Sequence, residues 1–193
     1  VYRMVEGLWQ APVAASFCSD LRYLDIEPVI APDGNRVLFV SNRPDPANGR
    51  NEENWDIWAA DRKGDTWGEP YNMGAPVNSD REEYFPGLTR DGTIYFTRLE
   101  QETGANFIFR CRMENGGYLE AEKLDNNINC GRVRFNAMIA PDESFIIVPA
   151  AGREDSLGGV DYYIVFRDEN GRWTPPLNMG ETINSPTGQE WSA

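Results

Sequence analysis

Short runs of apolar and aromatic residues, each bounded by turn residues, recur along the chain in one fixed order. Each unit opens with a brief apolar stretch ending in a turn: Pro28-Val29-Ile30-Ala31-Pro32-Asp33-Gly34, Pro86-Gly87-Leu88-Thr89-Arg90-Asp91-Gly92 and Ala137-Met138-Ile139-Ala140-Pro141-Asp142-Glu143. The Asp-Gly pairs predict tight hairpins, because glycine tolerates the positive φ such turns require. A second run follows at once, Val37-Leu38-Phe39-Val40, Ile94-Tyr95-Phe96 and Phe145-Ile146-Ile147-Val148, β-branched or aromatic and too short for a helix. After a polar loop comes a third, Asp56-Ile57-Trp58-Ala59, Asn106-Phe107-Ile108-Phe109 and Asp161-Tyr162-Tyr163-Ile164-Val165. A charged, glycine-containing turn and a Trp or Tyr complete each unit. No stretch has helical periodicity, so the pattern predicts antiparallel strands, four to a unit.

The units are copies of one another. Trp67-Gly68-Glu69-Pro70, Asn72-Met73-Gly74 and Val77-Asn78-Ser79 return as Trp173-Thr174-Pro175-Pro176, Asn178-Met179-Gly180 and Ile183-Asn184-Ser185. A weaker copy runs through Tyr118-Leu119-Glu120-Ala121, Leu124 and Ile128-Asn129-Cys130, and Trp9-Gln10-Ala11-Pro12 begins another. A period of about 50 residues marks stacked supersecondary units, and four strands per unit read as a propeller blade. The expected fold is an all-β β-propeller of four-stranded antiparallel blades, with partial blades at both ends. Residues 1–22 would be the remnant of one blade, 23–80, 81–130 and 131–186 three full blades, and 187–193 the start of another. That is too few for the roughly four to eight blades that close a ring. The sequence is therefore expected to belong to a longer propeller or to assemble with a second copy of itself.

Ala31-Pro32-Asp33-Gly34, followed by Phe39, Ser41-Asn42-Arg43 and Asp56-Ile57-Trp58, resembles the WD-like repeats of TolB-type β-propellers. The resemblance extends over essentially the whole chain and implies a periplasmic or extracellular setting. Two positions depart from the repeat, Glu143 in place of Gly and Asn106 in place of Asp, and both argue against a ligand held identically in every blade.

The net charge of −13 over 193 residues disfavours nucleic acid, whose phosphates are bound by basic patches, and disfavours anionic membrane surfaces. No apolar run approaches the roughly 20 residues of a transmembrane helix. With no His in the chain, a Ser-His-Asp triad or a His-assisted Cys nucleophile cannot be built from it. Cys18, Cys111 and Cys130 lack metal-ligand spacing; Cys111 falls in a third strand as a small buried hydrophobe, and a Cys18 to Cys130 bridge stays open. Acidic residues gather at Glu52-Glu53, Glu82-Glu83, Glu100 with Glu102, and Glu154-Asp155. They read as a solvated surface, with calcium in one loop as the second reading and no other cofactor implied.

Propeller topology puts the loops between second and third strands on one face, together with the blade-to-blade connections, and the tight hairpins on the other. The long-loop face is the candidate binding surface. There Arg43 and Asp56 recur as Arg98 with Asn106 and as Arg153 with Asp161, and the first long loop adds Arg50. Each Arg and Asp either fastens the base of its own loop or joins a ring presented to an anionic ligand, for which the guanidinium fork is suited. Trp9, Trp67, Tyr118 and Trp173 share one repeated fourth-strand position and are expected to pack between blades; Trp55 is either a packing anchor or a stacking platform. The Asp61 and Asp168 turns look loosely like sialidase Asp boxes, without the customary preceding Ser. Two functions stay open: a noncatalytic binding or scaffold propeller recognising a protein, peptide or glycan, and a glycan-processing enzyme using paired carboxylates.

Overall fold

The computed structural model describes residues 4–18, 20–45 and 54–191. It is all-β, built on three antiparallel sheets, each a meander in chain order. The first contains Asp25–Ile30, Arg36–Ser41, Asp56–Lys63 and Tyr71–Asn72. The second contains Glu83–Leu88, Ile94–Glu100, Ala105–Cys111 and Glu122–Lys123. In the third, Phe145–Ala151 pairs with Asp161–Phe166, which carries Leu177–Asn178 on its far side. Its first strand is split into Val133–Arg134 and Met138–Ile139, both paired to Phe145–Ala151. Among the described residues no helix is long and apolar enough to cross a membrane.

The sheets stand side by side; the central strands of the first two are covered on both faces and read as continuous apolar runs, whereas in the third burial alternates and one face alone joins the core. Leu38, Ile57 and Ala59 of the first sheet meet Ile94, Phe96, Phe109 and Cys111 of the second. The opposite face of the second, Tyr95 and Ile108, meets Ile146, Val148, Tyr163 and Val165 of the third. Each repeated aromatic packs toward the preceding layer: Trp173 and Tyr118 in these two interfaces, Trp67 on the outer face of the first sheet. There Phe17 stacks on Phe39 with ring centroids 4.6 Å apart. Trp9 departs from this expectation. It is 67% exposed, because no sheet flanks its short hairpin among the described residues.

The outer strand of each sheet pairs with only two residues of the long third strand, which would leave the adjoining amide bare and the adjoining carbonyl with a single donor from the outer segment. The repeated Asn of the linker fills that gap. Asn78 Oδ1 accepts from Ile57 N at 2.9 Å and its Nδ2 donates to Ile57 O at 2.8 Å. Asn129 does the same for Ile108, at 2.7 and 3.1 Å, and Asn184 for Tyr162, at 2.8 and 3.1 Å. A side-chain amide has the same donor and acceptor pair as a peptide group, so each Asn continues the ladder as one more residue of strand. In the first and third sheets a second Asn completes the clamp, since Asn78 donates to Asn72 at 2.7 Å and Asn184 to Asn178 at 2.9 Å.

The first strands begin earlier than the apolar pattern suggested, at Asp25 and Glu83. Each contains a bulge just before its proline, where Glu27 and Phe85 take φ of 55° and 53°. The bulge accommodates a residue with no N–H to give to the ladder. Glu27 accepts from Phe85 N at 2.7 Å, tying the two bulges together. Glu143 stands where the other hairpins have glycine, and it adopts the same left-handed conformation at φ 57°. Tyr95 OH donates to its carboxylate at 2.6 Å, and Arg167 pairs with it from the other side. The three cysteines are unbridged; burial pushes the thiols of Cys18 and Cys111 up to about 11 and about 12, which keeps both protonated at neutral pH.

Replacing Asn78 with Ala strands the amide of Ile57 in the core, while the carbonyl keeps its bond from Met73 N, and urea denaturation is expected to show a loss of about 1–3 kcal/mol. Burial pushes the Glu27 carboxyl from 4.5 up to about 7, against the opposing hydrogen bond from Phe85. The native state therefore holds this proton more tightly than the unfolded chain. Stability contributed by the protonated form is complete below the lower value and declines as pH rises through the interval to about 7. The variant E27Q should flatten that slope and, at pH 8, exceed the parent by on the order of 1–2 kcal/mol.

Candidate functional site

The connections between sheets lie against the loops joining second to third strands. Glu83 N donates to Trp55 O at 2.8 Å, Leu99 N to Glu82 O at 3.1 Å, and Arg132 N to Ala151 O at 2.8 Å. The tight hairpins gather at the opposite end, where Arg90 N donates to Pro141 O at 2.7 Å and Arg62 N to Asn35 O at 2.7 Å.

At the long-loop end each sheet carries an arginine over an aromatic ring of its third strand. Arg43 lies 5.7 Å from the centre of Trp58, Arg98 4.9 Å from Phe109, and Arg153 4.8 Å from Tyr163. These rings occupy matching register positions, paired with Phe39, Phe96 and Val148. In the first two sheets a carboxylate at the start of the first strand neutralises the arginine. Arg43 pairs with Asp25 at 2.6 Å and donates to Phe17 O at 2.5 Å. Arg98 pairs with Glu83 at 2.7 Å and donates to Val77 O at 3.1 Å. Burial pushes the Glu83 carboxyl up, while Ser79 and Arg98 favour its charged form. Both arginines are buried, with side-chain exposures of 8% and 11%, and their donors are directed into the protein.

The third sheet breaks this arrangement. Where the others begin their first strand with Asp25 and Glu83, it has Arg134, whose guanidinium donates to three carbonyls: Cys130 at 3.0 Å, Asn106 at 3.2 Å and Gly131 at 2.5 Å. Arg153 has no first-strand carboxylate to meet. It pairs instead with Asp155, two residues along and 46% exposed, at 2.9 Å. Burial works against the Asp155 carboxylate, but the hydrogen bond from Arg153 prevails and holds its carboxyl below the usual range. Arg153 lines an open cleft of about 580 Å³ together with Gly131, Arg132, Gly152, Glu154 and Asp155.

The remaining candidates have structural partners. Asp56 accepts from Asn54 at 2.9 Å and Asn72 at 2.8 Å. Asp161 accepts from the amides of Leu157 at 2.5 Å and Gly158 at 2.9 Å, and from Asn178 at 2.9 Å. These bonds fasten the loop bases. Trp55 lies against Tyr84, 6.0 Å between centroids, half-buried at the base of the next sheet. Asn184, from the repeated phrase Ile183-Asn184-Ser185, is buried in the ladder clamp. Arg50 and the Glu52-Glu53 pair lie outside the described residues. Among the described residues no group of three or more His, Cys, Asp or Glu side chains converges as a metal site. Sequence reading passed over Arg132 and Arg134. The available signal was the pair of Gly-Arg doublets, Gly131-Arg132 and Gly152-Arg153, together with Arg134 at a position that carries an acid in the other two units.

No protein-family profile matches the chain, and no curated protein resembles it in sequence. Solved structures similar to it include TolB from Acinetobacter baumannii, at 21% identity and TM-score 0.49, covering 79% of this chain and 32% of that one. A glycoside hydrolase is similar at 14% identity and TM-score 0.48, with coverages of 83% and 58%. A mutant of NanB sialidase from Streptococcus pneumoniae is similar at 16% and 0.45, with coverages of 82% and 23%. The chain spans about a third of the length of that TolB.

Substituting the repeated arginines one at a time should separate their roles. Arg98→Ala leaves Glu83 buried without its cation and should cost about 3–5 kcal/mol in denaturant unfolding. Arg153→Ala removes a partly exposed pair and one ring contact and should cost no more than about 1 kcal/mol.

Proposed function

We propose that this chain is a noncatalytic binding or scaffold module that recognises a protein, peptide or glycan through its long-loop face, in a periplasmic or extracellular setting. One observation carries the reading. The arginines of the first two sheets are consumed by the fold, whereas the third presents Arg153, beside Arg132, to an open cleft on the face where the long loops gather. Hydrolysis of a glycan calls for two carboxylates flanking the scissile bond. The buried acids Asp56, Glu83 and Asp161 are engaged in holding strands and loops, which favours binding over hydrolysis. The reading calls for no cofactor.

Peptide and glycan arrays probed with the chain provide the test. Retained ligands are expected to lose at least about tenfold in affinity on charge reversal at the long-loop face, Arg132→Glu or Glu154→Arg. Glu169→Lys, at the hairpin end, should leave binding unchanged. Turnover of chromogenic glycosides that disappears on substituting a single Asp or Glu would overturn the proposal in favour of an enzyme.

A further inference from the structure

Two Gly-Arg doublets, Gly131-Arg132 and Gly152-Arg153, come together at the long-loop end of the third sheet. Both glycines are left-handed, at φ 71° and 77°. A β-carbon on Gly131 would stand 2.6 Å from Ala151 O, and one on Gly152 would stand 2.3 Å from Arg132 Nε. The absence of side chains therefore lets the two backbones touch and lets Arg132 lie across the second doublet, so that both arginines line one cleft. Arg134 sits behind them, its donors taken up by the carbonyls of Cys130, Asn106 and Gly131. It adds a third positive charge in a protein whose net charge is −13.

We infer that this cleft is a carboxylate-binding site and that its ligand is a peptide, held by a chain-terminal or side-chain carboxylate between Arg132 and Arg153. The inference rests on the binding role proposed above. Asp155 occupies one half of the site, as an exposed carboxylate on Arg153 at 2.9 Å that an incoming carboxylate replaces in kind. The planar guanidinium fork matches such a group in two parallel hydrogen bonds. Glu154 and Asp155 at the rim repel a dianion such as phosphate, and they face a ligand whose next polar groups are amides or ammonium groups. The lining has no aromatic face on which a sugar could stack, which favours a peptide over an acidic glycan.

Three fluorescent peptides titrated into the chain test this. One lacks Asp and Glu and has a free C-terminus, the second is its amidated twin, and the third is the twin with one internal Asp. The first or the third is expected to bind at least about tenfold more tightly than the amidated twin, and which of them does so identifies the source of the carboxylate. The preference should vanish in R132A/R153A, and also in R132Q, where Arg153 keeps its ring contact and the fold is undisturbed. Asp155→Asn removes the internal competitor and should tighten binding several-fold, an effect that a purely structural Arg153 would not produce. Equal binding of all three peptides, or binding of none, overturns the inference. So does stronger competition by inorganic phosphate or glucuronate than by N-acetylglycine. Array ligands that depend on the long-loop face but ignore Arg132 and Arg153 would sink the carboxylate assignment while leaving the binding role standing. Indifference to the whole face would remove both.

Discussion

A long strand flanked by a short one leaves amides and carbonyls exposed at the edge, and the way this chain meets that requirement organises everything around it. In all three sheets the outer strand stops after two paired residues, and an asparagine from the following linker takes up both backbone groups of Ile57, Ile108 or Tyr162. Because that asparagine sits on the segment leading to the next sheet, closing one ladder also fixes where the next begins. The phrases Val77-Asn78-Ser79 and Ile128-Asn129-Cys130 are thus joints between layers. Their buried hydrophobic residues Val77 and Ile128 lock the same segments into the two interfaces.

A second repeated device closes the long-loop end. An arginine covers the third-strand aromatic, and a carboxylate at the start of the first strand neutralises it. Burying both charges together is tolerable because each is hydrogen-bonded, whereas burying either alone would not be. The third sheet keeps the arginine and the ring but exchanges the carboxylate for Arg134. The same exchange that removes an internal ion pair leaves Arg153 at the surface with an exposed partner that a ligand can replace. The binding site proposed here would arise from a defect in a structural pattern, with no new element added.

The sequence made the architecture legible because strand length, hairpin residues and burial on both faces leave local traces: apolar runs, Asp-Gly pairs, and a Trp or Tyr recurring in register. It also presented Arg43, Arg98 and Arg153 as equivalents. What distinguishes them is the identity of residues some 15 to 20 positions away in the chain, Asp25, Glu83 and Arg134, brought beside them only by strand pairing. Trp55 was ambiguous for the same reason: an aromatic residue next to a loop looks alike whether it faces solvent or packs on the next sheet.

By itself, then, the sequence determined the fold class, the order of strands and hairpins within each repeat and the end at which the long loops emerge, since these follow from periodicity and turn chemistry within a few residues. The tertiary structure alone decided which charges are spent and which are offered. Neutralisation depends on distance, and the distances that count here run across strands and between sheets. Two glycines separated by about twenty residues had to meet before Arg132 and Arg153 could share a cleft.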